Sequence, residues 1–341
     1  MDRKQFLTFF AATGIASQLQ AASINKPSGE KAGSRIPAYL KPGDTIGITS
    51  PASYISAESI RPSIQLMQNW GFKIETGKTI GTRDFILGGS DEARTADLQQ
   101  MLDNPAIKAI MCARGGYGLI RIIDQLNFSK FKSDPKWIIG FSDVTVLHAH
   151  INSNFGIASI HSKMCNSFPG DWTKASPEQI ATILSIRQVL SGADTRYTAP
   201  SNSANRPGRA EGILVGGNLS ILEGLAGSSS DLSTAGKILF IEDTHEEPYR
   251  IDRMCWNLKR SGKLDKLKGL VIGGFRFGEE TPGEEFGKTI TEIVSEKVKT
   301  YGYPVCFEFP VGHQVNNYAL KCGTKYLLEV TKQGSALTSI L

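Results

Sequence analysis

Short apolar runs alternate with longer amphipathic segments in the first half of the chain. The runs 45–49, 107–112 and 137–141 are typical of buried strands, and 57–70 and 91–102 carry helical patterns between them. Strands that alternate with helices in this way form parallel sheets with helices on both faces. The pattern therefore predicts a doubly wound α/β domain, whose ligands should bind at the carboxyl ends of the strands.

The pattern changes after this first domain, which we place at 37–165. The stretch 166–207 is poor in periodic spacing and rich in Ser, Asn, Pro and Gly, which favours an inter-domain connection. Beyond it, 208–341 combines helical segments with strand-like runs such as 212–215 and 237–241. We therefore expect a second, smaller domain of the α+β class that is rich in sheet.

The N-terminal segment has the three regions of a secretory signal. Arg3 and Lys4 precede the apolar run 6–16, and a stretch with small residues follows at 20–23. The run is too short for a transmembrane helix, and no other stretch of the sequence could span a membrane. We therefore assign 1–34 to a signal peptide and linker and expect export to the periplasm. A short amphipathic helix on a cytoplasmic protein is the alternative.

Composition narrows the classes of function. With 40% hydrophobic and 21% charged residues, the chain is globular rather than disordered. Its net charge of +5 is spread along the sequence without a Lys/Arg-rich block, which argues against a nucleic-acid partner. None of the five cysteines belongs to a C-x-x-C pair, so neither a zinc site nor a redox dithiol is expected.

Ser142 stands where the strand 137–141 gives way to a helical segment. A serine on such a turn is exposed at the end of the sheet, and the N–H groups that follow it can stabilise an oxyanion. The string 140–144, GFSDV, has only the first glycine of the G-x-S-x-G nucleophile elbow. Taken alone, an ordinary helix N-cap explains Ser142 better than a nucleophile does.

A glycine-rich turn, Arg114-Gly115-Gly116-Tyr117-Gly118, also follows an apolar strand and precedes a helix. Glycines at such a place let backbone N–H groups approach a ligand closely. The turn matches neither G-x-x-x-x-G-K-[ST] nor G-x-G-x-x-G, which argues against a phosphate loop. Half of an oxyanion hole and a plain tight turn both remain open as interpretations.

The sequence contains five histidines, each of which is a candidate for the general base. His148 and His150 follow the serine on the same helix and point away from its start, so packing or surface roles suit them. His161 ends a strand-like run and could line a site, and a local role suffices for His245 in a turn before a helix. His313 stands in a polar loop just past a strand end, which is a suitable position for a base.

Glu242 and Asp243 follow the strongly apolar strand 237–241. A carboxylate at the end of a buried strand needs a partner, and an imidazole N–H is a suitable one. A salt bridge or a backbone cap would serve as well, and the residues alone do not decide between the two adjacent carboxylates. Ser142, an acid and His313 would form a catalytic triad in one of the chain orders that triads adopt.

Six strings, taken in order, resemble the LD-carboxypeptidases, also called muramoyltetrapeptide carboxypeptidases. They are ARGGYG at 113–118, GFSD at 140–143, GGNLS at 216–220, LFIED at 239–243, YRIDR at 249–253 and PVGH at 310–313. The resemblance covers about 37–330. It implies a Rossmann-like (flavodoxin-like) N-terminal domain with a parallel sheet, a smaller C-terminal domain, and a site between them.

The resemblance assigns roles to individual residues. It implies that Ser142 is the nucleophile, His313 the general base and Glu242 the group that orients the histidine, with the backbone N–H groups of Gly116 and Asp143 as the oxyanion hole. The candidates for substrate binding are Arg114, Gly115, Tyr117, Asn218 and Trp172. No metal or organic cofactor is implied, and homodimers are usual among members.

The reaction implied is hydrolysis of the amide between an L-centre, such as diaminopimelate or lysine, and the terminal D-alanine of a muropeptide or stem peptide. Arg114 is a candidate clamp for the free carboxylate of such a substrate. A hydrolase of microcin-type acyl adenylates, in which Trp172 would stack on a base, and a non-catalytic muropeptide-binding protein are the alternatives. The chain has HSKM at 161–164 where members commonly have His-Gly-Pro-Met.

Overall fold

The structure is a computed structural model that describes residues 35–340. The signal peptide predicted at 1–34 lies outside the described residues. Among the helices of the described part, none is long and apolar enough to cross a membrane.

The first half of the described chain alternates strands with helices, as its apolar pattern predicts. Its elements are β1 (Thr45–Thr49), α1 (Ala57–Asn69), β2 (Lys73–Thr76), α2 (Asp91–Asp103), β3 (Ile107–Cys112), α3 (Leu119–Ile122), α4 (Ser129–Ser133), β4 (Trp137–Gly140), α5 (Thr145–Phe155) and β5 (Ser159–His161). The five strands are parallel and lie in the order β2-β1-β3-β4-β5. This is the flavodoxin-like order of a doubly wound sheet, so the predicted fold class is confirmed for this half.

The second half contains a larger, mixed sheet. Its elements are α6 (Pro177–Leu190), β6 (Arg196–Pro200), β7 (Gly208–Asn218), α7 (Leu219–Gly224), β8 (Ile238–Glu246), α8 (Pro248–Arg260), β9 (Gly269–Phe277), α9 (Ile290–Val298), β10 (Val305–Cys306), β11 (Leu320–Cys322), β12 (Lys325–Val330) and β13 (Gly334–Ser339). Seven of these strands form a sheet in the order β10-β9-β8-β7-β12-β13-β6, with β7 to β10 parallel and the rest antiparallel. The sheet-rich second part predicted from the sequence is therefore present.

Several helices begin at caps that the sequence encodes. Ser56 and Ser90 precede α1 and α2, and each side chain accepts a hydrogen bond from the backbone N–H three residues on. α6 has Ser176 as its N-cap and a proline at its first position, and α9 begins with a capping box between Thr289 and Glu292. These contacts satisfy backbone donors that a helix start leaves without partners.

The two halves share strands and core. β11 leaves the second half and pairs antiparallel with β5, where Leu320 lies opposite His161. The largest hydrophobic cluster contains Leu147 of α5 together with Val215 of β7 and Leu222 of α7. The predicted connection 166–207 is also structured in part, because it contains α6 and β6. The ends of β4 and β8 are consequently held at a packed junction.

Candidate active site

Ser142 occupies a sharp turn between β4 and α5. Its φ of +62° lies in the left-handed region, which is uncommon for a residue with a side chain. A Cβ on Gly140 would lie 2.8 Å from Val144, so the tightness of the turn requires a glycine there. An N-cap serine would have an extended backbone, and the N-cap of α5 is instead Val144. The geometry is that of a nucleophile elbow, in which strain presents the serine at the end of the sheet.

The glycine-rich turn lies directly against this serine. A Cβ added to Gly115 would lie 2.9 Å from the Cβ of Ser142 and 3.2 Å from its Oγ. Gly116 has a φ of +102°, and its N–H donates no hydrogen bond to another residue of the described chain. The bare backbone of Gly115 therefore lies against Ser142, and the next residue along the turn has an N–H group without a partner in the described chain.

Asp143 ties the serine turn to the glycine-rich turn. Its carboxylate is buried and accepts a hydrogen bond of 2.9 Å from the N–H of Leu119, the first residue of α3. Burial raises the pKa of this carboxyl to about 6. The backbone N–H of Asp143 lies in the first turn of a short 3-10 helix, where N–H groups lack partners within the helix. An oxyanion hole formed by the N–H groups of Gly116 and Asp143 stays a prediction.

Glu242 contacts His313 through its carboxylate. Their Oε2 and Nδ1 atoms are 2.5 Å apart, and the backbone N–H of His313 donates to the same oxygen at 3.2 Å. The Glu242 side chain is fully buried, whereas 19% of the His313 side chain is exposed. An Nδ1–H that donates to a carboxylate leaves Nε2 as the basic nitrogen of the ring.

The backbone around this pair is shaped to let the two side chains meet. The pairing of β8 with β9 shifts register between Ile241 and Asp243, and such a bulge re-aims the side chain it contains, here Glu242. Gly312 has a φ of +103°, and a Cβ on it would lie 2.5 Å from the Cβ of Glu242. The His313 ring lies 4.7 Å from the ring of Phe141, the residue before Ser142. The Glu–His pair and the serine turn therefore share one edge of the molecule.

Asp243, the other carboxylate that the sequence left open, has a different set of partners. It accepts hydrogen bonds from Asn218 Nδ2 at 2.9 Å, from the Ser220 N–H at 2.8 Å and from the Thr244 N–H at 2.8 Å. Burial raises its pKa to about 6. Asp243 therefore joins the end of β8 to the start of α7.

The residues predicted to bind substrate differ in their surroundings. Arg114 is exposed, and its Nη1 donates to the carbonyl of Tyr54. Tyr117 is 47% exposed, while both polar atoms of the Asn218 side chain are engaged within the protein. Trp172 packs against the core of the first half. Substrate-binding roles for these residues, and for Gly115, stay predictions.

The other histidines have local surroundings. The His148 ring is buried between Ser159 Oγ at 2.8 Å and the Gly140 carbonyl at 2.9 Å, so it supports the end of β4. His150 contacts Ser230 Oγ. His161 is fully buried beside Phe141, and burial holds its pKa well below the ordinary value. His245 is exposed and lines the cavity described next.

A cavity of about 490 Å³ opens beside His313. Four of its lining residues are not predicted as site residues from the sequence: Lys163, Asn166, Arg276 and Gln314. A second cavity of about 280 Å³ is lined by Arg114 and Tyr54, and Asn166 belongs to both. A lysine or arginine at a strand end resembles a surface residue in sequence, so only the structure assigns these cations to a site.

Ser142 and the Glu242–His313 pair lie at one edge, and a serine, a histidine and a carboxylate are the side chains that acyl transfer to water commonly uses. Comparison with known proteins identifies the family. Models of the LD-carboxypeptidase N-terminal and C-terminal domains match residues 46–162 and 211–328.

Relatives in sequence and structure agree with these matches. The "Probable murein peptide carboxypeptidase" of Bacillus subtilis is 32% identical over 303 residues, covering 88% of this chain and 93% of the relative. The microcin C7 self-immunity protein MccF of Escherichia coli is 27% identical, covering 88% and 95%. The crystal structure of muramoyltetrapeptide carboxypeptidase from Oxalobacter formigenes superposes with a TM-score of 0.76 at 28% identity, covering 86% and 98%. The chain therefore belongs to the LD-carboxypeptidase family of peptidases.

Proposed function

We propose that this protein is a serine-type LD-carboxypeptidase that removes the terminal D-alanine from murein tetrapeptides in peptidoglycan turnover. The observation that carries the proposal is the 2.5 Å contact between Glu242 and His313 beside the strained turn of Ser142. The names of the relatives from Bacillus subtilis and Oxalobacter formigenes support the choice of a muropeptide substrate. Family membership supports peptidase chemistry more broadly.

In the mechanism that we propose, His313 Nε2 takes the proton of Ser142 Oγ as that oxygen attacks the carbonyl before D-alanine. Glu242 holds the ring through Nδ1 and stabilises the imidazolium that forms. The N–H groups of Gly116 and Asp143 stabilise the tetrahedral oxyanion. His313 then gives its proton to the amine of D-alanine, and water releases the acyl group by the reverse steps.

The test is release of D-alanine from the tetrapeptide L-Ala-D-Glu-diaminopimelate-D-Ala, followed by mass spectrometry. We expect release by the wild type and by Ser133→Ala, a control substitution at an exposed serine of helix α4. Ser142→Ala should lose at least about 1,000-fold in kcat because no other group can form the acyl-enzyme. Equal turnover by Ser142→Ala would refute the mechanism.

Hydrolysis of a microcin-type acyl adenylate is the second candidate, because MccF is a relative over most of the chain. A base-stacking role for Trp172 has less support, since this side chain packs against the core and lines neither cavity. The same variants are also incubated with aspartyl-sulfamoyl adenosine. Hydrolysis of this compound, without release of D-alanine from the tetrapeptide, would favour the second candidate. Failure of both substrates would favour a binding protein.

We also propose export, from the signal-like residues 1–34, and a homodimer, from family resemblance. N-terminal sequencing of the protein recovered from a periplasmic fraction tests the first. Light scattering of the purified chain tests the second.

A further inference from the structure

Two cations line the cavity that contains His313, and the opposite charge of the buried Glu242 acts on one of them, Lys163. The wall carries Lys163 and Arg276, and no carboxylate contributes to it. Within the described chain, neither cation forms an ion pair with an acidic side chain. Most cations near a protein surface face water or a carboxylate, so two of them converging on a cavity indicate a site for an anion.

Lys163 is held close to the catalytic pair. It follows β5 and is partly buried, and its Nζ donates to the backbone carbonyl of Gln314, next to His313, at 2.6 Å. The same nitrogen lies 5.3 Å from the centre of the Phe141 ring. An ammonium has three donors, so the bond to Gln314 leaves two that a ligand can use.

Arg276 approaches the cavity from the second sheet. It lies near the end of β9, opposite Thr244 of β8, and its side chain is exposed. Burial, followed by the charge of Arg276, lowers the pKa of Lys163 to about 8. An anion between the two would relieve both effects, because it would replace lost solvation and separate like charges.

The position of His313 indicates which part of a substrate enters this cavity. The histidine returns its proton to the departing amine, so the departing residue must lie on the His313 side of the scissile bond. In a carboxypeptidase substrate, the free carboxylate is joined to the same Cα as that amine. The carboxylate would therefore lie in the cavity that is lined by Lys163 and Arg276.

We propose that Lys163 and Arg276 form the subsite for the C-terminal carboxylate of the departing residue. The inference rests on the proposed carboxypeptidase function and adds the residues that make the enzyme act at a free C-terminus. It also moves the clamp away from Arg114, which lines the cavity that does not include His313.

The experiment compares the tetrapeptide acid with the same peptide ending in D-alaninamide. Wild type, Lys163→Met, Arg276→Gln and the exposed-turn control Lys332→Met are assayed on both peptides for kcat and KM. We expect wild type and Lys332→Met to favour the acid through KM. Lys163→Met and Arg276→Gln should each raise KM for the acid by about 10- to 100-fold and leave KM for the amide little changed.

The outcomes separate this inference from the proposed function. If the wild type releases D-alanine but Lys163→Met and Arg276→Gln keep its preference for the acid, the subsite is wrong and the carboxypeptidase stands. If the wild type releases no D-alanine, the affinities of Ser142→Ala for the two peptides are measured by calorimetry to test the subsite by itself. If Ser142→Ala binds the acid more tightly than the amide, and if adding Lys163→Met removes that difference, the subsite stands. Equal affinities for the two peptides, or no binding of either, would overturn it.

Discussion

Ser142 holds a left-handed φ although it is not a glycine, and its neighbours supply the reason. Gly140 permits the tight turn, Gly115 leaves room for the serine side chain, and Asp143 anchors the following residue to Leu119. Backbone strain of this kind costs about 1–3 kcal/mol and persists only where surrounding contacts hold it. The serine therefore depends on atoms contributed by at least two turns.

Replacement of Gly115 by alanine should impair catalysis more than folding. The new methyl group would lie 2.9 Å from the Cβ of Ser142, so either the serine or the glycine-rich turn must shift. A displacement of a few tenths of an ångström to 1 Å at reacting atoms can cost about 100-fold, and we expect kcat to fall by about 10- to 100-fold. Steady-state kinetics with circular dichroism check this.

Gly170→Ala is the matched control for that substitution. Gly170 is exposed, and a Cβ there would meet nothing within 4 Å. It should keep wild-type kcat. Full activity in Gly115→Ala would mean that the close contact with Ser142 does not position the nucleophile.

At the scale of elements, β8 carries Glu242 and also anchors α7 through Asp243. Glu242 and Asp243 are adjacent in the strand but have different partners. The bulge directs Glu242 to His313. Asp243 accepts hydrogen bonds from Asn218 and from the backbone at the start of α7. One strand end thereby links the Glu242–His313 pair to the start of α7.

The buried Asp243 gives this junction a pH dependence. Its pKa is raised to about 6 in the folded state, above the ordinary carboxyl value of the unfolded chain. Proton binding therefore favours the folded state: the stabilisation is fully present near pH 4 and is lost as pH rises through about 6. Asp143 behaves in the same way, because burial raises its pKa to about 6.

Chemical denaturation of wild type and Asp243→Asn at pH 4, 5, 6, 7 and 8 checks this. The asparagine cannot titrate, so we expect the free energy of unfolding of the wild type to fall relative to that of the variant between pH 4 and 6. The difference should be constant above pH 7. Parallel curves across the range would show that Asp243 keeps an ordinary pKa.

The sequence predicts the elements with strong local patterns and misses those that depend on distant partners. The strands β1, β3 and β4 are evident from their apolar runs because both faces are buried. The run 237–241 predicts only the first part of β8, which continues through polar residues to Glu246 because β9 pairs with it. The short strand β11 exists only through its pairing with β5.

The candidate site shows the same division. A strand-to-helix turn and a loop histidine mark Ser142 and His313 in the sequence. The choice between Glu242 and Asp243 depends on a bulge, and the cavity position of Lys163 depends on the contact with Gln314. Such long-range contacts leave no periodic signal, so resemblance or structure must supply them.

At the scale of the whole molecule, the site exists only where the two halves meet. Ser142 and the glycine-rich turn come from the first half, and Glu242 and His313 come from the second. β11 extends the first sheet with residues from the second half, and Thr145 of α5 accepts a hydrogen bond from the Asn218 N–H of β7. A shared core should make the halves unfold together, because neither keeps its buried surface alone.

Leu147 tests this coupling because it is fully buried on α5 and belongs to the core cluster that includes β7, α7 and β8. Leu147→Ala should destabilise the protein by about 2–5 kcal/mol through lost burial and a cavity. In native-state hydrogen exchange followed by mass spectrometry, peptides from β3 and from β9 should lose protection by the same free energy. The exposed Leu184→Ala on α6 should leave both unchanged. Loss of protection in β3 alone would mean that the second half is stable by itself and that the Glu242–His313 pair survives without its serine.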